Sequence, residues 1–339
     1  MIDWFRGSIP FLHFPVNGGH LFEMTPDGVV KWDIVKGVQV QGSHKSNISI
    51  RSKGSDGQGR ATELWIDGNI SKFLQGHNLF GSRNLIDLVH QTFLKIVNYH
   101  PDLEPRTLNL ASVEQSILSG DFDVKSIDIN QLYFLDNNRS VESWLYAAEM
   151  HASKRAGRST STRGTVYLGK NSRRWGLKFY NKKQEMLVNQ NKDHPHFQKL
   201  ITFAEGLLRV ELRLLSLELT DLGLTKGRQF TVERLEKLFN SYLGRIDMTM
   251  NAHLIDEELI NLPRTVQGTY HLWKSGVSCR QMLSKTSFFR HRKELKKYGV
   301  DINFPPLQVE RNNVQPLIRV IEAKPVENPV WATELKLIA

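Results

Sequence analysis

Three short segments of the chain alternate apolar with ionisable side chains: "SIDIN" (126–130), "LKFY" (177–180) and "LRVELRL" (208–214). Successive side chains of a β-strand point to opposite faces. Each segment therefore reads as a strand with one apolar face and one polar face. The polar phases carry Asp128, then Lys178 and Tyr180, then Arg209, Glu211 and Arg213. Such strands are stable side by side in one sheet, where one face is packed and the other takes the charge.

The rest of the chain fits around that sheet. Residues 1–70 read as short strands between Gly, Asn and Asp, among them "GVVKWDIVKGVQVQG", "SNISIRS" and "TELWIDG", the last ending on an Asp-Gly turn signal. "GTVYLG" and "WGLKFY" read as a strand pair. Residues 83–100 have apolar side chains at helical spacing, with Leu85, Leu88, Val89, Phe93 and Val97 on one face. A helix over 140–154 has Ser140 and Ser143 as N-cap candidates, and another starts near 181. The expected fold is α+β: a mainly antiparallel central sheet flanked by helices over 1–220, then a smaller helix-rich domain over 221–339. Within the second part, 276–302 reads as a helix-turn-helix. Ser284 would cap its second helix, and Leu283, Phe288 and Leu295 would face inward.

Composition narrows the function classes. No apolar run approaches the roughly 20 residues that span a bilayer, and the N-terminus does not read as a secretory signal, so no membrane partner is expected. Cys279 is the only cysteine, which excludes an intrachain disulfide and a Cys-based zinc site. A reducing cytoplasm is the simplest compartment. The chain has 45 Lys and Arg against 35 Asp and Glu, a net charge of +10, which favours a polyanion as partner. The basic residues crowd into 151–164, 169–183 and 280–297.

For any single charged residue on a sheet face, solvation is the simplest explanation. Two carboxylates, a tyrosine and lysines gathered in one domain point instead to a site, as does His77 in "SKFLQGHNLFGS" (71–82). The segments "SKFLQGHNLFGS", "SIDI", "FYNKKQE" and "LLRVELRL", in that order, resemble the gene II/X replication initiators of filamentous phages. "DWFRGSIPFLH" and "WIDGN" also resemble the branch of this family found in phages of Gram-negative bacteria, and the resemblance covers nearly the whole chain. The order Ile-Asp, Tyr-x-Lys and Arg-x-Glu-Leu is similar, more distantly, to rolling-circle plasmid initiators with an HUH-nuclease-like fold.

The resemblance implies a site-specific, single-strand DNA endonuclease and joining enzyme that nicks a replication origin and leaves a 3′-hydroxyl primer. DNA is then the substrate, with a host helicase and polymerase as further partners and the bacterial host's cytoplasm as the place of action. The family's nucleophile falls on Tyr180. A phenol with a pKa near 10 needs help to ionise. Lys182, at the Tyr-x-Lys spacing, is the first choice of cation, with Lys183 as local competitor and Glu185 orienting Lys182. Mg²⁺ or Mn²⁺ would be held by His77 first, then Asp128, with Glu211 as a third ligand or a structural partner. The sequence departs from the wider superfamily in lacking a His-hydrophobic-His strand. Its only His-x-His, "HPH" (194–196), contains a proline that a central strand excludes. Tyr167, before a Leu-Gly turn and outside the Tyr-x-Lys pattern, reads as structural.

For DNA contacts the sequence offers Lys154, Arg155, Arg158 and Arg163 in one basic arm. Arg173 and Arg174 sit beside Trp175, which either stacks on a base or belongs to the core. Lys178 and Lys183 lie near the tyrosine. Lys285, Arg290 and Arg292 fall on the exposed face of the second helix of the helix-turn-helix. Two alternatives are a non-catalytic DNA-binding regulator and a metal-dependent hydrolase that uses water.

Overall fold

All three alternating segments lie in one sheet. The structure, a computed structural model, describes residues 1–16, 18–100, 103, 110–135, 137–155, 160–162, 164–189, 192–244, 262–304 and 325–339. The strands are β1 (Ile2–His13), β2 (His20–Met24), β3 (Val30–Val35), β4 (Val38–Gln41), β5 (Asn47–Lys53), β6 (Ala61–Asn69), β7 (Asp123–Phe134), β8 (Thr160–Thr162), β9 (Thr165–Leu168), β10 (Trp175–Asn181) and β11 (Leu207–Leu215). Nine of them form an antiparallel sheet in the order β4-β5-β6-β1-β7-β11-β10-β9-β8, while β2 and β3 make a separate hairpin. The alternation sets the faces as expected. Lys178 stands opposite Glu211, Tyr180 opposite Arg209, and Arg213 opposite Asp128.

The helices are α1 (Ile70–Gln75), α2 (Leu85–Tyr99), α3 (Leu110–Leu118), α4 (Asn138–Arg155), α5 (Lys182–Asn189), α6 (Phe197–Phe203), α7 (Ser216–Asp221), α8 (Val232–Leu243), α9 (Arg264–Lys274), α10 (Cys279–Met282), α11 (Lys285–Lys296) and α12 (Val330–Glu334). The apolar sheet face packs on the first helices. Phe11 meets Phe93 of α2 edge-on at 5.2 Å, and Phe179 meets Trp144 of α4 at 5.4 Å. Fully burying each such side chain contributes about 1.5–3 kcal/mol. A second apolar cluster covers one end of the polar face. It joins Leu79, Phe80, Leu132, Met186, Leu200 and Leu337. The C-terminal segment is tied there by Val326 N–H donating to Leu132 O at 2.8 Å.

Two local expectations are corrected. The Asp67-Gly68 pair makes no turn: β6 runs through it to Asn69, whose side chain caps α1 by accepting Lys72 N–H. Gly68 is needed for packing, since a Cβ there would stand 2.6 Å from Ile48 Cγ2. α4 starts before Ser140, because Asn137 Oδ1 accepts Ser140 N–H at 2.9 Å and caps the helix earlier.

After residue 221 the described regular structure is helical. Ser284 caps α11 as expected, and Phe288 and Leu295 are buried. Arg292, expected on the exposed face, turns inward. Its Nε and Nη2 both donate to Asp301 at 2.6 Å, and Asp301 is fully buried. A bidentate pair to a buried carboxylate outweighs exposure of the guanidinium. Lys296 Nζ reaches Glu149 of α4 at 2.6 Å, which fixes α11 against the first helices.

Candidate active site

The polar phases of β7, β11 and β10 deliver the site's side chains, and two turns complete it. Tyr180 is the last aromatic of β10, only 4% exposed. Its hydroxyl donates to Glu211 Oε1 at 2.5 Å. Lys178 Nζ donates to the other oxygen, Oε2, at 3.1 Å and lies 4.2 Å from the centre of the Tyr180 ring. Burial, then the Glu211 charge, pushes the phenol well above its ordinary range. Burial also raises Glu211, but Lys178 and Arg209 outweigh it and hold the carboxyl below its ordinary range. The proton therefore rests on Tyr180, where the sequence suggests a phenol already eased by cations.

Lys182 opens α5 and is fully buried. Its Nζ donates to Asn78 Oδ1 at 2.9 Å and to Glu185 Oε2 at 2.6 Å, and stands 5.9 Å from the Tyr180 ring centre. Burial and the nearby Arg209 lower it to about 8, although Glu185 pulls the other way. Lys183 points elsewhere and pairs with Glu205.

Asn78 joins the site together. Its Nδ2 donates to Asp3 Oδ2 at 3.1 Å, its Oδ1 accepts from Lys182, and its carbonyl accepts from Arg209. Gly76, at φ +84° as the C-cap of α1, makes the left-handed turn that brings this segment over the sheet. Sequence reading missed Asn78 and Asp3. Asn78 directly follows His77 in the same motif, and Asp3 is one of two charges, with Arg6, in a mainly apolar N-terminal run.

A cleft of about 360 Å³ opens beside this network, lined by Asp128, Tyr167, Lys178, Glu211 and Arg213. Arg213 grips Asp128 with Nε at 3.0 Å and Nη2 at 2.8 Å. Burial raises Asp128 to about 6 against the pull of Arg213. Tyr167, read as structural, thus borders the same cleft as the two carboxylates.

His77, expected as the first metal ligand, is buried with its ring against the backbone. Its Nε2–H donates to Leu337 O at 2.9 Å, and its Nδ1 accepts Leu79 N–H at 3.3 Å. Burial, then His194, lowers it to about 3, so it is a neutral ring with both nitrogens committed to the backbone. Among the described residues, no group of three or more His, Cys, Asp or Glu side chains is arranged to hold a metal ion. Asp128 and Glu211 face one cleft from adjacent strands, with their oxygens bonded to Arg213 and to Lys178 and Tyr180.

The basic residues divide into three groups. Arg158 and Arg163 lie outside the described residues, as do the side chains of Lys154 and Arg155 in the last turn of α4. Arg174 pairs with Glu218 and Asp221, and Trp175, half-buried, packs edge-on against Tyr242 at 5.1 Å and lines the cleft of Asp128 and Glu211. Arg173, Lys285 and Arg290 are exposed.

Two family models, describing the N-terminal and C-terminal parts of the gene II replication-associated protein, match residues 1–233 and 254–338. The replication-associated protein of the same type from Enterobacteria phage I2-2 is 42% identical over 337 residues, which cover 97% of this chain and 95% of that protein.

Proposed function

The chain belongs to the gene II family of replication-associated proteins, and from that premise we propose that Tyr180 is the nucleophile with which it nicks DNA. It is a catalytic initiator of phage rolling-circle replication, a single-strand endonuclease and joining enzyme. The observation that carries the assignment of the tyrosine is the bond from its hydroxyl to Glu211, beside a cleft lined by Asp128, Lys178 and Arg213.

The Tyr180 oxygen attacks the scissile phosphorus. An O–P bond to tyrosine forms, the P–O3′ bond breaks, and a 5′-phosphotyrosyl link remains. The phenol's proton passes to Glu211 Oε1, which already accepts it at 2.5 Å. The departing 3′-oxygen takes a proton from solvent and becomes the primer. Because the phosphodiester is exchanged rather than hydrolysed, attack by a 3′-hydroxyl reverses the step and joins the strand. Lys178 and Lys182, at 4.2 and 5.9 Å from the ring centre, offset charge as the phenolate develops. Glu185 and Asn78 hold Lys182 in place.

Mg²⁺ or Mn²⁺ would be held by Asp128 and Glu211 Oε2 in place of their bonds to Arg213 and Lys178, leaving Oε1 for the phenol's proton, and would polarise a phosphoryl oxygen. His77 supports the wall of the site instead of the ion. Exposed Arg173, Lys285 and Arg290 suit contacts to DNA phosphates, with α11 as the helix offered to the major groove. Host helicase and polymerase follow as partners from the 3′-primer, and the bacterial cytoplasm as the place of action.

The test is covalent capture. A labelled single-stranded oligonucleotide carrying the nick site, quenched during cleavage with Mn²⁺, is expected to leave a 5′-phosphate on Tyr180 in peptide mass spectra. Tyr180→Phe is expected to keep DNA binding and lose nicking. Wild-type nicking by Tyr180→Phe, or capture on Tyr167, would overturn the assignment.

A further inference from the structure

On the other side of the Lys182 network lies a second cleft, of about 560 Å³, between the edge of α1, the start of β5 and the outer side of α5. Its volume is in the range of pockets that hold small ligands, about 300–1,000 Å³. Its floor includes Trp4, which stands opposite Asp128 on β7 and opposite Asn69 on β6. At 37% exposure Trp4 is one of the open large side chains of the polar face.

Trp4 is held rigidly. Its Nε1–H donates to Asp67 Oδ1 at 2.8 Å, and Arg6 Nε takes the other oxygen of Asp67 at 2.8 Å. The indole edge is satisfied within the protein, and the ring is left to offer area. Around it the cleft carries Lys45, Asn47 and Lys72, polar groups suited to phosphate and to base edges. Lys45 is exposed and forms a surface ion pair with Asp193 at 3.2 Å, and half-buried Lys72 donates to the Asn189 carbonyl at 3.4 Å. The two remaining features tie this cleft to the chemistry. Asn78 and Glu185, which line it, are the side chains that hold Lys182.

We infer that this cleft binds an unpaired nucleotide next to the scissile phosphate, with the base stacked on Trp4 and the backbone met by Lys45 and Lys72. The subsite rests on the reading of Tyr180 as nucleophile, since it places the strand across the Lys182 network between the two clefts. Stacking on an aromatic ring is tolerant of base identity, because every base has a π-face. The subsite therefore contributes affinity and register for single-stranded DNA, and origin choice lies elsewhere. A pre-positioned indole loses little freedom on binding, so its contact is efficient.

The experiment uses the full chain and a single-stranded oligonucleotide spanning the nick site. In the Tyr180→Phe background, which holds DNA without cutting it, Trp4→Ala is expected to weaken binding about 5- to 100-fold, and Trp4→Phe to retain most of it. An abasic residue walked along the oligonucleotide is expected to weaken binding by the wild-type ring at one position beside the nick, and to have no further effect there on Trp4→Ala. The abasic walk on the wild-type chain also answers the question if Trp4→Ala folds poorly. Unchanged binding by Trp4→Ala, or no sensitive position beside the nick, overturns the subsite while covalent capture on Tyr180 still stands. Absence of capture in the otherwise native chain is the separate result that removes the tyrosine reading.

Discussion

Tyr180 reaches diagonally across the sheet, from β10 to Glu211 on β11, although its register partner is Arg209. Diagonal neighbours lie within reach of an aromatic side chain. The consequence is chemical: the proposed nucleophile rests against a carboxylate, with cations around the pair instead of on the oxygen. Tyr180 is thus stored protonated, and the carboxylate that accepts its hydroxyl is the group able to take its proton.

Glu211→Gln separates hydrogen bonding from proton acceptance. The amide oxygen still accepts the Tyr180 hydroxyl but cannot take its proton. The rate of nicking in a single turnover is expected to fall about 10²- to 10⁴-fold, with oligonucleotide affinity little changed. A variant that nicks at the native rate would assign Glu211 to structure alone.

Lys182, the cation proposed for the tyrosine, is expected to set an upper limit on pH. It loses its proton near pH 8, held there by burial and Arg209. A phenol nucleophile alone would give a rate rising with pH past 9. Here the rise is expected to stop near pH 8, and Lys182→Arg, which stays charged, is expected to carry it higher. A native rate that climbs without a break through pH 10 would contradict the role of this ammonium group.

The same group makes a stability prediction. Its pKa is about 8 in the folded chain and 10.5 as the ordinary value. The cost of burying the charge is complete below pH 8 and is relieved as pH rises to 10.5, and it amounts to at most about 3 kcal/mol. Lys182→Met is therefore expected to unfold in urea at a midpoint no lower than the native chain at pH 7, while losing nicking. A clear drop in midpoint would show that the bonds to Asn78 and Glu185 outweigh burial.

His77→Ala tests the histidine as a structural pin. It would leave Leu337 O and Leu79 N–H without their partner, at a cost of about 2–4 kcal/mol in urea unfolding. Mn²⁺ affinity, followed by electron paramagnetic resonance, is expected to stay as it was. A large loss of affinity at native stability would return His77 to the metal.

Arg290 and Arg292 are two residues apart on α11 and are expected to behave oppositely. Arg292→Ala removes the bidentate partner of the buried Asp301, leaving it Asn303 N–H at 3.0 Å and Lys296 at 3.8 Å, and costs about 3–5 kcal/mol of stability. Arg290→Ala leaves stability unchanged and lowers the salt dependence of duplex binding by about one counterion. Equal loss of DNA affinity in stable forms of both would argue against the inward pairing of Arg292.

The sequence by itself determined the strands, their faces and the gathering of Asp128, Lys178, Tyr180 and Glu211 on one of them. Period-two alternation is a local property, and it survives folding because a sheet buries one face. It also carried the motif order that marks the family. Partner choice on the polar face was decided only by tertiary structure. Glu211 had Arg209, Arg213, Lys178 and Tyr180 all within reach, and strand register gave its hydrogen bonds to Lys178 and Tyr180 with Arg209 Nε at 3.8 Å. His77 was drawn to the backbone of a segment 260 residues away, which no local pattern announces. Arg292 turned to Asp301, and Asn78 became the hinge of the Lys182 network, for the same reason: a buried polar group takes whichever partner the fold brings within hydrogen-bonding distance.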